Sequence, residues 1–169
     1  RAPYGFRTEP IIIDGIHTKK LVIEPTEAAF VRKMYEMYID PQVSLHDITR
    51  QLTEQGMRTY FGKPFSRATI SIMLRNPIYT MADLDIYEFF KSQGTNIYND
   101  AADFVGTNGC YYYRSKDSTE NKHTHLEGQT LVLAPSEGFI PSDLWLRVRK
   151  KMMANQTYQP ARKARNTWM

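Results

Sequence analysis

Val31, Met34, Tyr35 and Tyr38 recur at i, i+3, i+4 and i+7, the spacing of a helix that buries one face. Glu24-Pro25-Thr26-Glu27 marks its start, because proline is tolerated in a first turn and acids sit well against the positive end of the helix dipole. A second helix is predicted from Ser44, which forms a box-like cap with Asp47, to Gly56, a residue suited to the left-handed position after a last turn. Leu45, Ile48 and Leu52 face inward in this reading, and His46, Arg50 and Thr53 face out. Upstream, the apolar runs at 11–13 and 21–23 flank the turn signal Asp14-Gly15, so residues 1–24 read as a small β-hairpin.

The stretch 62–79, GKPFSRATISIMLRNPIY, carries both ends of a third helix. The Ser66 hydroxyl can accept from free N–H groups of the first turn, and Phe65 can staple onto Ile70. Pro77 cannot continue a helix and disfavours helical geometry at Asn76. What remains is about ten residues, too short to be stable alone, so it must dock on something. Ile70, Met73 and Leu74 would bury, leaving Arg67, Ala68, Ser71, Ile72 and Arg75 facing away. Two short helices, the second serine-capped and basic on one face, resemble a helix-turn-helix, whose second helix enters the major groove. The nine residues from Met57 to Phe65, with Gly62 as a tight turn, are a longer connection than a tight helix-turn-helix uses.

Further along, a helix is predicted over about 83–93, with Leu84, Tyr87 and Phe90 inward and Gly94 as its stop. Residues 110–114 and 130–133 look like strands, with a polar loop at 115–125 between them. Ser142 caps a closing helix whose inward stripe is Leu144, Trp145, Val148 and Met152, with Arg147, Lys150, Lys151 and Ala154 opposite. The fold class is α+β, mainly helical: a helix-turn-helix-like core with a small β-hairpin and short strands.

Composition narrows the function. At 169 residues, 41% apolar and 24% charged, the chain suffices for one domain with a real core. It has no apolar run of bilayer-spanning length and no signal-peptide pattern, so a cytoplasmic protein is expected. A single cysteine, Cys110, excludes an internal disulfide or a cysteine-rich zinc site and, beside three tyrosines, reads as a buried thiol. His123 and His125 alternate as ligands on a strand would, but lack a third partner nearby and read as loop residues; no metal or cofactor is expected.

The net charge of +4 is unevenly distributed. Residues 55–82 carry Arg58, Lys63, Arg67 and Arg75 and no acid, and from Leu144 onward Arg147, Arg149, Lys150, Lys151, Arg162, Lys163 and Arg165 stand without one. The remainder is at −7, mostly between Asp83 and Asp143. Such segregation suits a protein with one surface facing a polyanion. The acidic middle is then expected to point away from it, and the stripe of the closing helix could track phosphates.

At these residues a family resemblance appears. PYGF at 3–6, LVIEPTEAAFVRKMYEMY at 21–38, SLHDITRQLTEQGMRT at 44–59, the stretch 62–79 and EGFIPSDLWLRVRKKM at 137–152 occur in the order of the recombinase domain of large serine recombinases, which the chain resembles. The resemblance implies a module that binds double-stranded DNA at an attachment site. In the family it follows an N-terminal catalytic domain with the nucleophilic serine, precedes a C-terminal zinc ribbon, and works as an oligomer of the full-length protein on DNA. A bacterial or phage origin and a role in a mobile element go with it, and the start at Arg1 without an initiator methionine suits an excised fragment.

The expected organisation is a DNA-binding domain over 1–155, comprising a hairpin (1–24), a helical core (25–80), an acidic α/β insertion (81–136) and a closing helix (137–155), then a basic linker over 156–169. The candidate DNA-binding residues are Arg58, Lys63, Ser66, Arg67, Thr69, Ser71, Ile72, Arg75, Arg147, Lys150 and Lys151. Arginine can pair bidentately with guanine, serine and threonine can contact bases or phosphates, and Ile72 can meet a thymine methyl. No complete catalytic constellation is present: the eleven tyrosines lack the arginine and histidine set of tyrosine recombinase chemistry, and there is no glycine-rich phosphate loop or carboxylate cluster for Mg²⁺. Two other readings stay open: a winged-helix regulator with a wing-like hairpin at 60–65, and a protein-interaction domain with no nucleic-acid role.

Overall fold

The hairpin forms where two apolar runs meet a turn that tolerates positive φ. In this computed structural model, which describes residues 1–119 and 121–156, β1 (Phe6–Ile13) pairs antiparallel with β2 (Ile16–Ile23), and Asp14 and Gly15 take φ of 49° and 76° between them. Those angles match the twist of paired strands. Only the base of the ribbon is packed: Phe6 is buried against Tyr79 and Phe139, while Ile12, Ile13 and Ile16 near the turn are exposed.

Three helices follow, each started by a side chain that satisfies a free amide. The Glu24 carboxylate accepts from the Glu27 N–H at 2.7 Å at the start of α1 (Pro25–Tyr38), which buries Ala28, Val31, Met34, Tyr35 and Tyr38 as the spacing predicts. At α2 (Leu45–Glu54) the capping box is complete, with Asp47 N–H to Ser44 Oγ at 3.2 Å and Ser44 N–H to Asp47 Oδ2 at 2.8 Å. Ile48 and Leu52 are buried, Leu45 partly so. The third helix, α3 (Arg67–Arg75), packs on α2.

The acidic segment begins with α4 (Leu84–Ser92), capped by Asp83. Here the predicted face is rotated. Leu84 is 52% exposed and Ile86 takes the inward place with Phe90, because α4 packs on Trp145 through Phe89 and Phe90, and position 86 lies one turn before 90 on that same face. Next come β3 (Asn96–Ile97), a single 3₁₀ turn, β4 (Asn108–Tyr113) and β5 (Thr130–Glu137). The sheet order is β3-β5-β4, with β3 parallel and β4 antiparallel to β5.

The closing helix, α5 (Ser142–Gln156), starts one residue earlier than expected: Ser142 is its first residue, and its hydroxyl donates to Asp83 instead of capping. The Trp145 N–H is taken by the Pro141 carbonyl at 3.0 Å. The expected basic linker lies outside the described residues except for Gln156.

Residues 81–136 are built into the same core as the helices. Cys110 N–H donates to the Pro77 carbonyl at 2.9 Å, Ala82 N–H to Asn108 at 2.9 Å and Met81 N–H to Ile140 at 2.8 Å. Backbones touch closely enough that a Cβ at Gly109 would lie 2.1 Å from the Ile78 carbonyl oxygen, and one at Gly138 2.0 Å from that of Thr80. Phe90 of α4 stands 5.7 Å from both Tyr112 of β4 and Trp145 of α5, centroid to centroid. Cys110 is the buried thiol expected, and burial pushes its pKa up to about 12.

Candidate nucleic-acid interface

At its N-terminus α3 is held by Ser66, whose Oγ accepts from the Thr69 N–H at 3.1 Å and shares a hydrogen bond with Thr69 Oγ1 at 2.9 Å. Both hydroxyls are therefore engaged in the cap. At the other end two ring donors hold the last carbonyls: Tyr35 OH donates to Met73 O at 3.0 Å, and Trp145 Nε1 to Asn76 O at 3.2 Å. A nine-residue helix that cannot stand alone is thus fastened to α1 and α5 by its C-terminus, with Ile70, Met73 and Leu74 buried beneath it.

The opposite face is open. Arg67, Ala68 and Ile72 are exposed, and Ser71 and Arg75 are half-buried, Arg75 donating to the Ser71 hydroxyl. Burial lowers the Arg75 guanidinium pKa from its ordinary value. Arg58 and Lys63 stand exposed on the connection before α3, Arg58 donating to its neighbour's carbonyl, Met57 O, at 2.9 Å. Among the described residues none of Arg58, Lys63, Arg67 and Arg75 forms an ion pair, whereas Arg7 and Arg50 each reach a carboxylate. These four cations are therefore not neutralised by direct contact with a carboxylate among the described residues.

The stripe expected on α5 is not brought to this surface. Arg147 and Lys150 border the groove between α5 and α4, together with Asp85, Glu88 and Asp143. Lys151 turns inward: its Nζ donates to the carbonyls of Tyr38, Asp40 and Val43, each at 2.7 Å, and lies 4.0 Å from the Tyr38 ring centroid. This places a cation at the negative end of the α1 dipole, on carbonyls of which that of Asp40 also accepts from the Val43 N–H at 3.1 Å. The expected opposite face of Arg147, Lys150, Lys151 and Ala154 thus divides, Lys151 having left it.

Other charged groups, outside the candidate contact residues, approach α3 instead. Arg149 is 2% exposed, donates from Nη2 to the His123 carbonyl at 2.7 Å and has no partner for Nε among the described residues. Burial, reinforced by Arg75, pushes its pKa down to about 10. Burial, and then the charges of Lys122, Arg149 and Arg75, hold the His123 pKa below its ordinary value, so His123 lies within electrostatic reach of Arg75 at the C-terminal end of α3. The acidic segment therefore does not point wholly away from the basic face. No sequence signal marks this approach, because Arg75 and His123 are far apart in the chain and joined only by the fold.

Between α2 and α3 the wing-like hairpin of the regulator reading does not form. Residues 59–63 make a tight turn instead, with Thr59 N–H to Lys63 O at 2.7 Å.

Among known proteins, the family model described as Recombinase matches residues 25–155, well over half of the chain. A search of curated proteins found no match. Among the described residues no helix is long and apolar enough to cross a membrane, and no group of three or more His, Cys, Asp or Glu side chains could hold a metal ion.

Proposed function

The chain belongs to the Recombinase family, and we propose that it is the DNA-binding module of a site-specific serine recombinase. It holds an attachment site in register while a separate catalytic domain cuts and rejoins the strands. On this reading α3 enters the major groove with Arg67, Ser71, Ile72 and Arg75 toward base edges, and Arg58 and Lys63 meet phosphates on the approach. Ser66 and Thr69 contribute by fixing the first turn of the helix. The N-terminal catalytic domain, the C-terminal zinc ribbon and assembly on DNA belong to the same proposal.

The observation that carries this reading is the open face of α3: cations with no acid between residues 55 and 82, on a helix whose other face and last carbonyls are locked into the core. A helix fastened in this way needs no further backbone ordering when it meets a partner, which favours recognition. The test is fluorescence anisotropy with a random-sequence duplex at 50 and 200 mM salt. Each phosphate contact contributes a slope of about −0.9 in log K against log salt. Binding that weakens steeply with salt supports the reading; absence of salt-dependent binding at both concentrations overturns it.

A further inference from the structure

The tight turn before α3 carries the two most conspicuous apolar side chains of the basic stretch. Tyr60 is 80% exposed and Phe61 77%, their rings edge-to-face at 5.6 Å. They are held out on a stiff support. Thr59 N–H donates to Lys63 O, Gly62 N–H donates to Thr59 O at 2.9 Å, and the Lys63 N–H reaches Thr59 Oγ1 at 3.3 Å. Gly62 supplies the φ of +70° that lets the chain return. No core requires these rings, and two exposed aromatics side by side are unfavourable in water without a partner.

The surroundings identify the partner's chemistry. Arg58 and Lys63 flank the turn, and the Arg1 guanidinium stacks over Tyr60 at 3.0 Å and lies 4.6 Å from the Phe61 centroid. No acid occurs between residues 55 and 82. An aromatic pair ringed by cations complements a polyanion that also offers flat apolar faces, which is a description of nucleic acid. We propose that this turn is a second DNA-contacting element, in which Tyr60 and Phe61 press on the deoxyribose and base-step surface bordering the groove that receives α3. The proposal rests on the reading of α3 given above and adds to it a contact made by stacking and apolar burial. Side chains of this kind wedge against base steps in other DNA-binding proteins and favour duplex that is easily deformed there.

The test uses the 169-residue chain and a duplex enriched by that chain from a random-sequence library. The double variant Tyr60→Ser/Phe61→Ser should bind this duplex at least tenfold more weakly, with an unchanged salt slope because no charge is removed, and should melt with the wild type because both rings are exposed. Tyr60→Trp/Phe61→Trp should restore binding, and its added indole fluorescence should be quenched when the duplex is added. Arg67→Ala, by contrast, should lower the salt slope by about one. Wild-type affinity in the serine variant, with Arg67→Ala weakened, overturns the turn's role and leaves that of α3 standing. Wild-type chain that enriches no sequence and binds no duplex overturns both. If the serine variant keeps its DNA affinity but the wild-type chain self-associates through the rings, the patch serves protein contact and the proposal is equally overturned.

Discussion

Replacing Lys151 by methionine separates two readings of the same residue. As a phosphate contact, Lys151 would contribute to DNA affinity and little to stability. In the structure its ammonium instead bridges the carbonyls of Tyr38, Asp40 and Val43 at 2.7 Å each, tying α5 to the end of α1. A hydrogen bond from a charged donor contributes about 1.5–3 kcal/mol when well shielded. Two of these carbonyls are part-buried, but the Asp40 contact is exposed and its carbonyl keeps the Val43 N–H at 3.1 Å, and Lys151 itself is only partly covered. Methionine keeps most of the stem's packing and removes the charge, so the expected loss is about 2 kcal/mol in total. For a chain of this size that corresponds to a fall of about 4–8 °C in Tm. Thermal and urea unfolding followed by circular dichroism measure the loss, and anisotropy against salt measures the DNA contribution. An unchanged Tm together with a salt slope reduced by about one would refute the reasoning and return Lys151 to the DNA surface.

Four further outcomes are expected. Arg67→Ala, on an exposed side chain with no ion pair among the described residues, should leave Tm unchanged and weaken specific binding by about 1–3 kcal/mol where the contact is a bidentate base pair. Tyr35→Phe should cost about 1 kcal/mol in urea unfolding, the low end for a buried hydrogen bond, because Met73 O still accepts from the Asn76 N–H at 3.2 Å. Gly109→Ala should prevent accumulation of folded protein, since the new Cβ would meet the Ile78 carbonyl; a soluble variant with wild-type Tm would contradict the close approach of β4. The His123 pKa is lowered in the folded state, so the unfolded chain binds more protons, and stability should fall as pH drops through about 6.5 toward the lower folded value. His123→Gln should flatten the dependence of Tm on pH across that window.

The helix starts were legible because they are local. Ser44 with Asp47, and Ser66, each satisfy an amide within three residues as expected, and at the start marked by residues 24–27 it is Glu24 that caps α1. The buried faces of α1 and α3 were legible for the same reason, since i, i+3 and i+4 spacing is a property of the helix itself. Leu84 and Ile86 were not separable by pattern, because the run from 84 to 90 is apolar on more than one face and only the packing of α4 on Trp145 chooses between them. Lys151 and Arg149 were illegible in a stronger sense. A lysine on a charged stripe reads as solvated, and its partners are the carbonyls at the end of a helix more than a hundred residues earlier. Arg149 is buried because a distant loop folds over it, and no periodicity records a loop. Of the candidate interface, the stretch around α3 was visible in the sequence, whereas the cations around His123 and the inward turn of Lys151 required the fold.

The most direct measurement of the proposed role of α3 is selection of bound sequences from a random duplex library, by the wild-type chain and by Arg67→Ala in parallel. The expected result is an enriched half-site for the wild type, with preference relaxed at one base position in the variant and retained elsewhere. No enrichment by the wild-type chain, or an identical enriched sequence from both proteins with unchanged affinity, would contradict a base-reading role for Arg67 on α3.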